Sequence, residues 1–117
     1  MIKGIGTDIV AIARIQKLIS RYNSRFLTRA FTPAEINYCQ NKAHPAQHYA
    51  GRFAAKEAFI KALGNSLPFK DIEVERTAAK APRIKLSPPA QAAMQGKNIF
   101  LSISHDHEYA VAQVILE

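Results

Sequence analysis

Hydrophobic positions in the first half of the chain repeat mostly with helical spacing. Residues 2–10 predict one strand, because β-forming residues flank a glycine-containing turn there. From about Ala11 to Tyr22 the apolar positions recur every three or four residues, which predicts an amphipathic helix with a separate basic stripe. Two further helices are predicted, one to about Gln40 from the capping box Thr32-Pro33-Ala34-Glu35, and one from near Pro45 to Leu63 with Gly64 as its C′ residue.

The second half alternates apolar and polar residues, as half-buried strands do. Ile72-Glu73-Val74-Glu75 and Ile84-Lys85-Leu86-Ser87 predict two strands linked by Ala78 to Pro82 as a hairpin. A short helix is predicted from Ser87-Pro88-Pro89 to Gly96, and strands over 98–104 and 108–116 close the chain. Helices followed by antiparallel strands predict an α+β fold, with residues 1–117 as one domain.

Composition and charge narrow the class of protein. Apolar residues make up 48% of the 117 positions, and Cys39 alone excludes an internal disulfide. We expect a cytoplasmic protein with no membrane association, because the N-terminus lacks the features of a signal peptide and no apolar run approaches about 20 residues. The net charge of +7 predicts an anionic partner, and residues 1–31 hold six basic residues against the single acid Asp8.

Glu57 occupies an unusual position on the longest predicted helix. It lies four residues after Phe53 and three before Ile60, so it projects from the same apolar face. A carboxylate on such a face requires a partner, which is either a metal ion or a lysine. Periodicity alone leaves two interpretations evenly balanced: a metal ligand, or a surface ion pair with Lys61 at i+4.

Asp8 is the second unusual acid, because aspartate is disfavoured in strands. One interpretation is that it caps the helix beginning near Ala11 or pairs with a neighbouring arginine. The other is that it provides a hard oxygen ligand for Mg²⁺, which proteins usually hold through one or two carboxylates, water and substrate phosphates.

Three blocks of sequence carry a family resemblance. They are Gly4-Ile5-Gly6-Thr7-Asp8-Ile9-Val10 with Ile12-Ala13-Arg14-Ile15, then Gly51-Arg52-Phe53-Ala54-Ala55-Lys56-Glu57-Ala58-Phe59, then Ser102-Ile103-Ser104-His105 with Tyr109-Ala110-Val111-Ala112. In this order the blocks resemble the bacterial holo-[acyl-carrier-protein] synthases, the small homotrimeric members of the 4′-phosphopantetheinyl transferase family. The resemblance covers nearly the whole chain.

The resemblance implies a reaction of fatty acid biosynthesis. Such enzymes move 4′-phosphopantetheine from coenzyme A to a serine of apo acyl carrier protein and release adenosine 3′,5′-bisphosphate. It also implies that Asp8 and Glu57 hold Mg²⁺ together with the coenzyme pyrophosphate, with active sites between neighbouring subunits. The resemblance gives two candidates for the base that takes the serine proton, Glu57 and a water on the metal.

The remaining site residues are also carried over from the family. Lys61 is expected to stabilise the phosphates as a catalytic residue, and Arg52, Lys56 and His105 are expected to contact the coenzyme with it.

The basic stripe acquires a role through the same resemblance. Acyl carrier proteins are strongly acidic, so Arg14, Arg21 and Arg25 are expected to dock the protein substrate. For any single arginine the alternative is a solvated helix face. Two other functions stay open: a basic nucleic-acid-binding domain, although interleaved stacking aromatics are lacking and we expect no nucleic acid partner, and an inactive homologue that only binds carrier protein.

Overall fold

A computed structural model describes residues 1–76 and 81–117 and shows one long helix lying across a three-stranded antiparallel sheet. The predicted α+β fold is therefore confirmed. None of the helices in these two ranges is both long and apolar enough to cross a bilayer. The elements in chain order are β1 (Gly4–Ala11), α1 (Ile12–Tyr22), α2 (Ser24–Ala30), α3 (Pro33–Gln40), α4 (Pro45–Leu63), a 3₁₀ turn (Phe69–Asp71), β2 (Ile72–Arg76), β3 (Pro82–Leu86), α5 (Pro88–Met94), β4 (Ile99–His105) and β5 (Tyr109–Leu116).

The sheet has the strand order β1-β5-β4, so β1 and β4 are its two edges. Small residues such as Ala110 and Ala112 line the inner face of β5 and are fully buried beneath α4. Helix α4 packs on this strand and contributes alanines of its own to the core, among them Ala54 and Ala58, which are also fully buried. Alanine against alanine leaves little side-chain volume between the layers, so the helix backbone comes close to the sheet.

The strands β2 and β3 pair antiparallel in a separate two-stranded sheet. This confirms the predicted pairing of Ile72–Glu75 with Ile84–Ser87, since Val74 lies opposite Ile84. Of the predicted hairpin link from Ala78 to Pro82, residues 78–80 lie outside the described residues.

One helix of the structure has no counterpart in the prediction. The chain breaks after α1 at Asn23, which adopts a positive φ of 49°, and α2 then runs from Ser24 to Ala30. Asparagine tolerates this left-handed region better than most residues. The break re-aims the chain, so Arg25 lies on a different helix from Arg14.

The predicted helix boundaries that rest on capping signals are confirmed. The Thr32 hydroxyl accepts from the Glu35 N–H at 3.3 Å, and the Thr32 N–H donates to a Glu35 carboxylate oxygen at 2.9 Å. Gly64 ends α4 with a φ of 82°, and its N–H donates to the Ile60 carbonyl at 2.9 Å. The cap at Thr32 also turns Glu35 into the core, where it is 1% exposed.

Candidate active site

Strand β1 lies directly on α4 at two glycines. A Cβ atom at Gly6 would overlap the Ala58 carbonyl oxygen, and one at Gly4 would overlap the Ala62 carbonyl oxygen. Only glycine allows this approach, because any other residue places a carbon where helix backbone already lies. Asp8 is two residues beyond Gly6, so its side chain belongs to the same helix-facing side of β1.

The Asp8 carboxylate is paired with Lys61 across this junction. The Lys61 ammonium donates to Asp8 Oδ1 at 3.2 Å and to the Thr7 carbonyl at 3.0 Å. The alternative roles of Asp8 do not occur, because α1 has no side-chain cap and the cation beside Asp8 is a lysine. The surface pair of Lys61 with Glu57 is not formed either, since Lys61 reaches β1 instead.

Glu57 lies one helical turn before Lys61 on the same flank of α4, and its side chain is half-buried. Within the described residues it makes no hydrogen bond and no ion pair. Asp8 and Glu57 therefore offer carboxylate oxygens next to the same lysine, and such hard donors fit Mg²⁺. The described residues contain no group of three or more histidine, cysteine or acidic side chains suited to a metal, so two carboxylates are what this site provides.

A second polar cluster lies on the other side of α4. Arg52 and His105 line one narrow cleft there, so the structure brings together two residues predicted to bind the coenzyme. Arg52 is only 4% exposed, and its Nε has no hydrogen-bond partner among the described residues. The cleft has two arginines, two histidines and no carboxylate among its lining residues, which suits an anion. They are Gln47, His48, Gly51, Arg52, Val74, Arg76, Pro82, Ile103 and His105.

His48 in this cleft was not predicted from the sequence. Its ring centroid lies 6.0 Å from that of His105, and its backbone carbonyl accepts from Arg52 Nη1 at 3.5 Å. Burial lowers the pKa of His48, and the neighbouring Arg52 and His105 lower it further. The sequence feature that could have identified His48 is its position four residues before Arg52, which places both residues on one face of the helix.

The structure contradicts the prediction that Lys56 contacts the coenzyme. Its side chain is fully buried, and its ammonium donates to the Ala30 carbonyl at 2.7 Å, the Phe69 carbonyl at 3.0 Å and Glu35 Oε1 at 2.6 Å. An ammonium has three N–H donors, so none is left for a ligand. Burial lowers the pKa of Lys56, and the Glu35 carboxylate opposes that shift.

The three predicted docking arginines are all exposed. The Arg14 guanidinium carbon lies 5.9 Å from the centre of the Phe53 ring, and Phe53 is one turn before Glu57 on α4. Arg21 covers the Tyr22 ring at 5.3 Å. Arg25 borders an apolar groove of about 400 Å³ between α1, α2 and α4. The contact between Arg14 and Phe53 therefore brings the surface of exposed arginines next to the flank of α4 that carries Glu57 and Lys61.

Comparison with known proteins gives the family. The model of the 4′-phosphopantetheinyl transferase superfamily matches residues 4–114. A holo-[acyl-carrier-protein] synthase of Geobacter sp. (strain M21) is 48% identical over 124 residues, covering 100% of this chain and 99% of the relative. The crystal structure of the synthase from Neisseria meningitidis has a TM-score of 0.93 at 35% identity, covering 100% and 99% of the two chains. The Helicobacter pylori synthase in complex with coenzyme A has a TM-score of 0.87 at 38% identity, covering 97% and 99%.

The chain therefore belongs to the 4′-phosphopantetheinyl transferase superfamily. Within that superfamily it is similar, over its full length, to the holo-[acyl-carrier-protein] synthases. The predicted family resemblance and the predicted class of enzyme, a transferase, are confirmed.

Proposed function

We propose that this protein transfers 4′-phosphopantetheine from coenzyme A to a serine of apo acyl carrier protein in the cytoplasm, as a step of fatty acid biosynthesis. Its relatives are named for this activity, and the Helicobacter pylori relative was solved with coenzyme A. The observation that carries the proposal is the grouping of Asp8, Glu57 and Lys61 on one flank of α4, beside the basic surface that begins at Arg14 over Phe53.

Asp8 and Glu57 are the residues that would hold Mg²⁺, and the oxygen donors they present fit it. When bound, the ion supplies neutralisation of the negative charge that develops on the leaving phosphate. Lys61 adds a second positive charge from the protein. Its side chain is 54% exposed, so its ammonium can move from Asp8 to the phosphates of an incoming coenzyme.

The chemistry is a phosphoryl transfer. The serine oxygen attacks the phosphorus next to the pantetheine, the bond from that phosphorus to the bridging oxygen breaks, and adenosine 3′,5′-bisphosphate leaves. The serine proton needs an acceptor. Glu57 is the candidate base of this chain, because its carboxylate forms no hydrogen bond or ion pair among the described residues. Arg14, Arg21 and Arg25 hold the acidic carrier protein so that its serine reaches this flank.

The geometry supports an active site shared between copies of the chain, as in the predicted homotrimer. Arg52 and Lys61 are nine positions apart, which at about 100° per residue places them on opposite sides of α4. His105 is likewise on β4 while Asp8 is on β1, at the two edges of the sheet. One coenzyme therefore reaches both clusters when the Arg52 cleft of a second copy faces the Lys61 flank of the first.

The outer face of the sheet offers a surface for that assembly. Ile5 is 58% exposed and Phe100 is 53% exposed, and both lie opposite Ile115 of β5. Ile9 of β1 is 62% exposed. Apolar side chains concentrated on one face in this way are typical of a surface that another subunit covers.

Mass spectrometry of apo carrier protein tests the proposed function. After incubation with this protein, coenzyme A and Mg²⁺, we expect the carrier mass to rise by one phosphopantetheine group. An unchanged mass with retained carrier binding would instead support the inactive homologue. Micromolar or tighter binding of oligonucleotides at physiological salt would favour the nucleic-acid-binding alternative.

A further inference from the structure

A basic groove of about 560 Å³ lies between α2 and the segment that follows α4. One wall carries Arg25, Thr28 and Arg29, and the other carries Pro68 and Lys70. Three of these five residues are cationic and none is acidic. An anionic surface that entered the groove would therefore contact two segments separated by about 40 residues of sequence, so its fit depends on how the two walls are held.

Lys56 connects the two walls from beneath. Its ammonium donates to the carbonyl of Ala30, the last residue of α2, and to the carbonyl of Phe69, the neighbour of Lys70. The third donor goes to Glu35 at 2.6 Å. A single buried cation thus fixes the backbone of both walls.

Glu35 anchors this cation to the rest of the fold. Its Oε1 also accepts from the Thr32 N–H at 2.9 Å, and its Oε2 accepts from the Val74 N–H at 2.8 Å in β2. Both members of the ion pair are buried, with side-chain exposures of 0%. A buried ion pair is weak evidence of stabilisation, because removing two charges from water costs about as much as the pair returns. Its direction-specific hydrogen bonds do, however, define one arrangement of the segments that they join.

We propose that Lys56 is a positioning residue that holds the walls of the Arg25–Arg29–Lys70 groove in the arrangement that docks the acidic carrier protein. This inference rests on the proposed function and extends it to a residue that touches neither substrate. The groove belongs to the carrier protein rather than to the coenzyme, because it adjoins Arg25 of the docking surface and is lined by none of the residues of the Arg52 cleft.

The first test compares Lys56→Met with Lys97→Met, a control lysine that donates to the Met94 carbonyl at 3.3 Å, away from the groove. For Lys56→Met we expect the KM for carrier protein to rise about tenfold, a size typical of losing one or two docking contacts. The KM for coenzyme A and kcat stay within about twofold, and the control matches wild type. An unchanged KM for carrier protein in the folded Lys56→Met variant would overturn the proposal.

A double-mutant cycle separates positioning from a general structural role. Lys70→Gln alone is expected to raise the KM for carrier protein, since Lys70 supplies a groove charge. In the Lys56→Met background the same substitution changes this KM much less, because the groove charge is already misplaced. Fully additive effects would contradict the proposal, since a general structural defect does not depend on Lys70.

Loss of Lys56 leaves Glu35 buried without its cation, so Lys56→Met can fail to fold. In that event the comparison is made on Lys56→Met/Glu35→Gln, which removes both charges. Hydrogen exchange of the wild-type protein adds a test without any variant. Carrier protein is expected to slow exchange in residues 24–31 and 68–71 at the same concentration, and protection of 24–31 alone would overturn the proposal. Absence of phosphopantetheine transfer by wild type, by contrast, would refute the proposed function itself.

Discussion

The Lys61 ammonium lies 3.2 Å from Asp8 Oδ1, across the contact between α4 and β1. Lys61 is 54% exposed at its side chain, so water screens this pair and the pair adds little to stability. For Lys61→Gln we therefore expect the free energy of unfolding to change by less than about 1 kcal/mol. We expect kcat to fall about 100-fold, because a cation positioned on the reacting phosphates is lost.

Chemical denaturation and steady-state transfer kinetics check both expectations, with Lys3→Gln as an exposed control. Loss of stability in proportion to activity would show that Lys61 acts on the fold rather than on the phosphates.

Replacement of Gly6 tests the close junction between β1 and α4. Gly6→Ala places a methyl group against the Ala58 carbonyl oxygen, and backbone cannot rotate away as a side chain can. We expect a loss of at least about 3 kcal/mol in the free energy of unfolding. Gly51→Ala is the control, since among the described residues its Cβ would meet the flexible Ile103 side chain, at Cγ2 and 3.1 Å, and no backbone atom. There the helix propensity of alanine offsets the crowding to within about 1 kcal/mol. Equal losses in the two variants would contradict the account.

The buried thiol of Cys39 makes the free energy of unfolding depend on pH in the alkaline range. Burial raises the pKa of the thiol from 9.0 to about 11, although Arg52 opposes the shift. Above pH 9 the unfolded chain releases this proton while the folded protein keeps it. The folded state then binds more protons, so its stability falls as pH rises from 9 to 11.

Relative to Cys39→Ala, wild type is expected to lose roughly 1 kcal/mol between pH 8 and pH 10, and roughly 2 kcal/mol by pH 11. Urea unfolding of the two proteins at pH 8, 9 and 10 measures the difference, and groups present in both proteins cancel. Parallel curves would refute the buried, protonated thiol.

Mixed assemblies test the shared active site. His105→Ala impairs one cluster and Lys61→Gln the other, so co-refolded mixtures contain some interfaces in which both clusters are wild type. We expect random mixing to leave roughly a quarter of the interfaces intact and to restore part of the transfer activity. A mixture of wild type with the His105→Ala/Lys61→Gln double variant serves as the reference for the activity expected from random mixing. No recovery above the separate variants would show that each chain uses its own two clusters.

Much of the fold could be predicted because its signals are local. The capping box at Thr32 and the glycine after Leu63 satisfy backbone groups within a few residues of themselves, and the structure contains both. Helix α2 was missed because it begins directly after Asn23, the residue of positive φ that ends α1, and has no side-chain cap to mark its start. Sequence patterns do not report where such a turn occurs.

For the site residues too, the predictions succeeded where the signal is local in sequence and failed where the partner is distant. Asp8 and Glu57 stood out because a strand and an apolar helix face are unfavourable places for acids. The prediction for Lys56 was wrong because its partner Glu35 lies 21 residues earlier in sequence and meets it only in the folded core. Lys56 is next to Glu57 in sequence. Helix geometry nevertheless places the two side chains about 100° apart around the axis, with Lys56 turned towards the interior.

We propose that Asp8 and Glu57 form a metal-dependent catalytic pair. The decisive measurement is the transfer of phosphopantetheine to apo carrier protein against Mg²⁺ concentration for wild type, Asp8→Ala and Glu57→Ala. We predict Mg²⁺-dependent transfer by wild type and no transfer by either variant, although both retain the wild-type circular dichroism spectrum. Full activity in either folded variant would contradict the assignment.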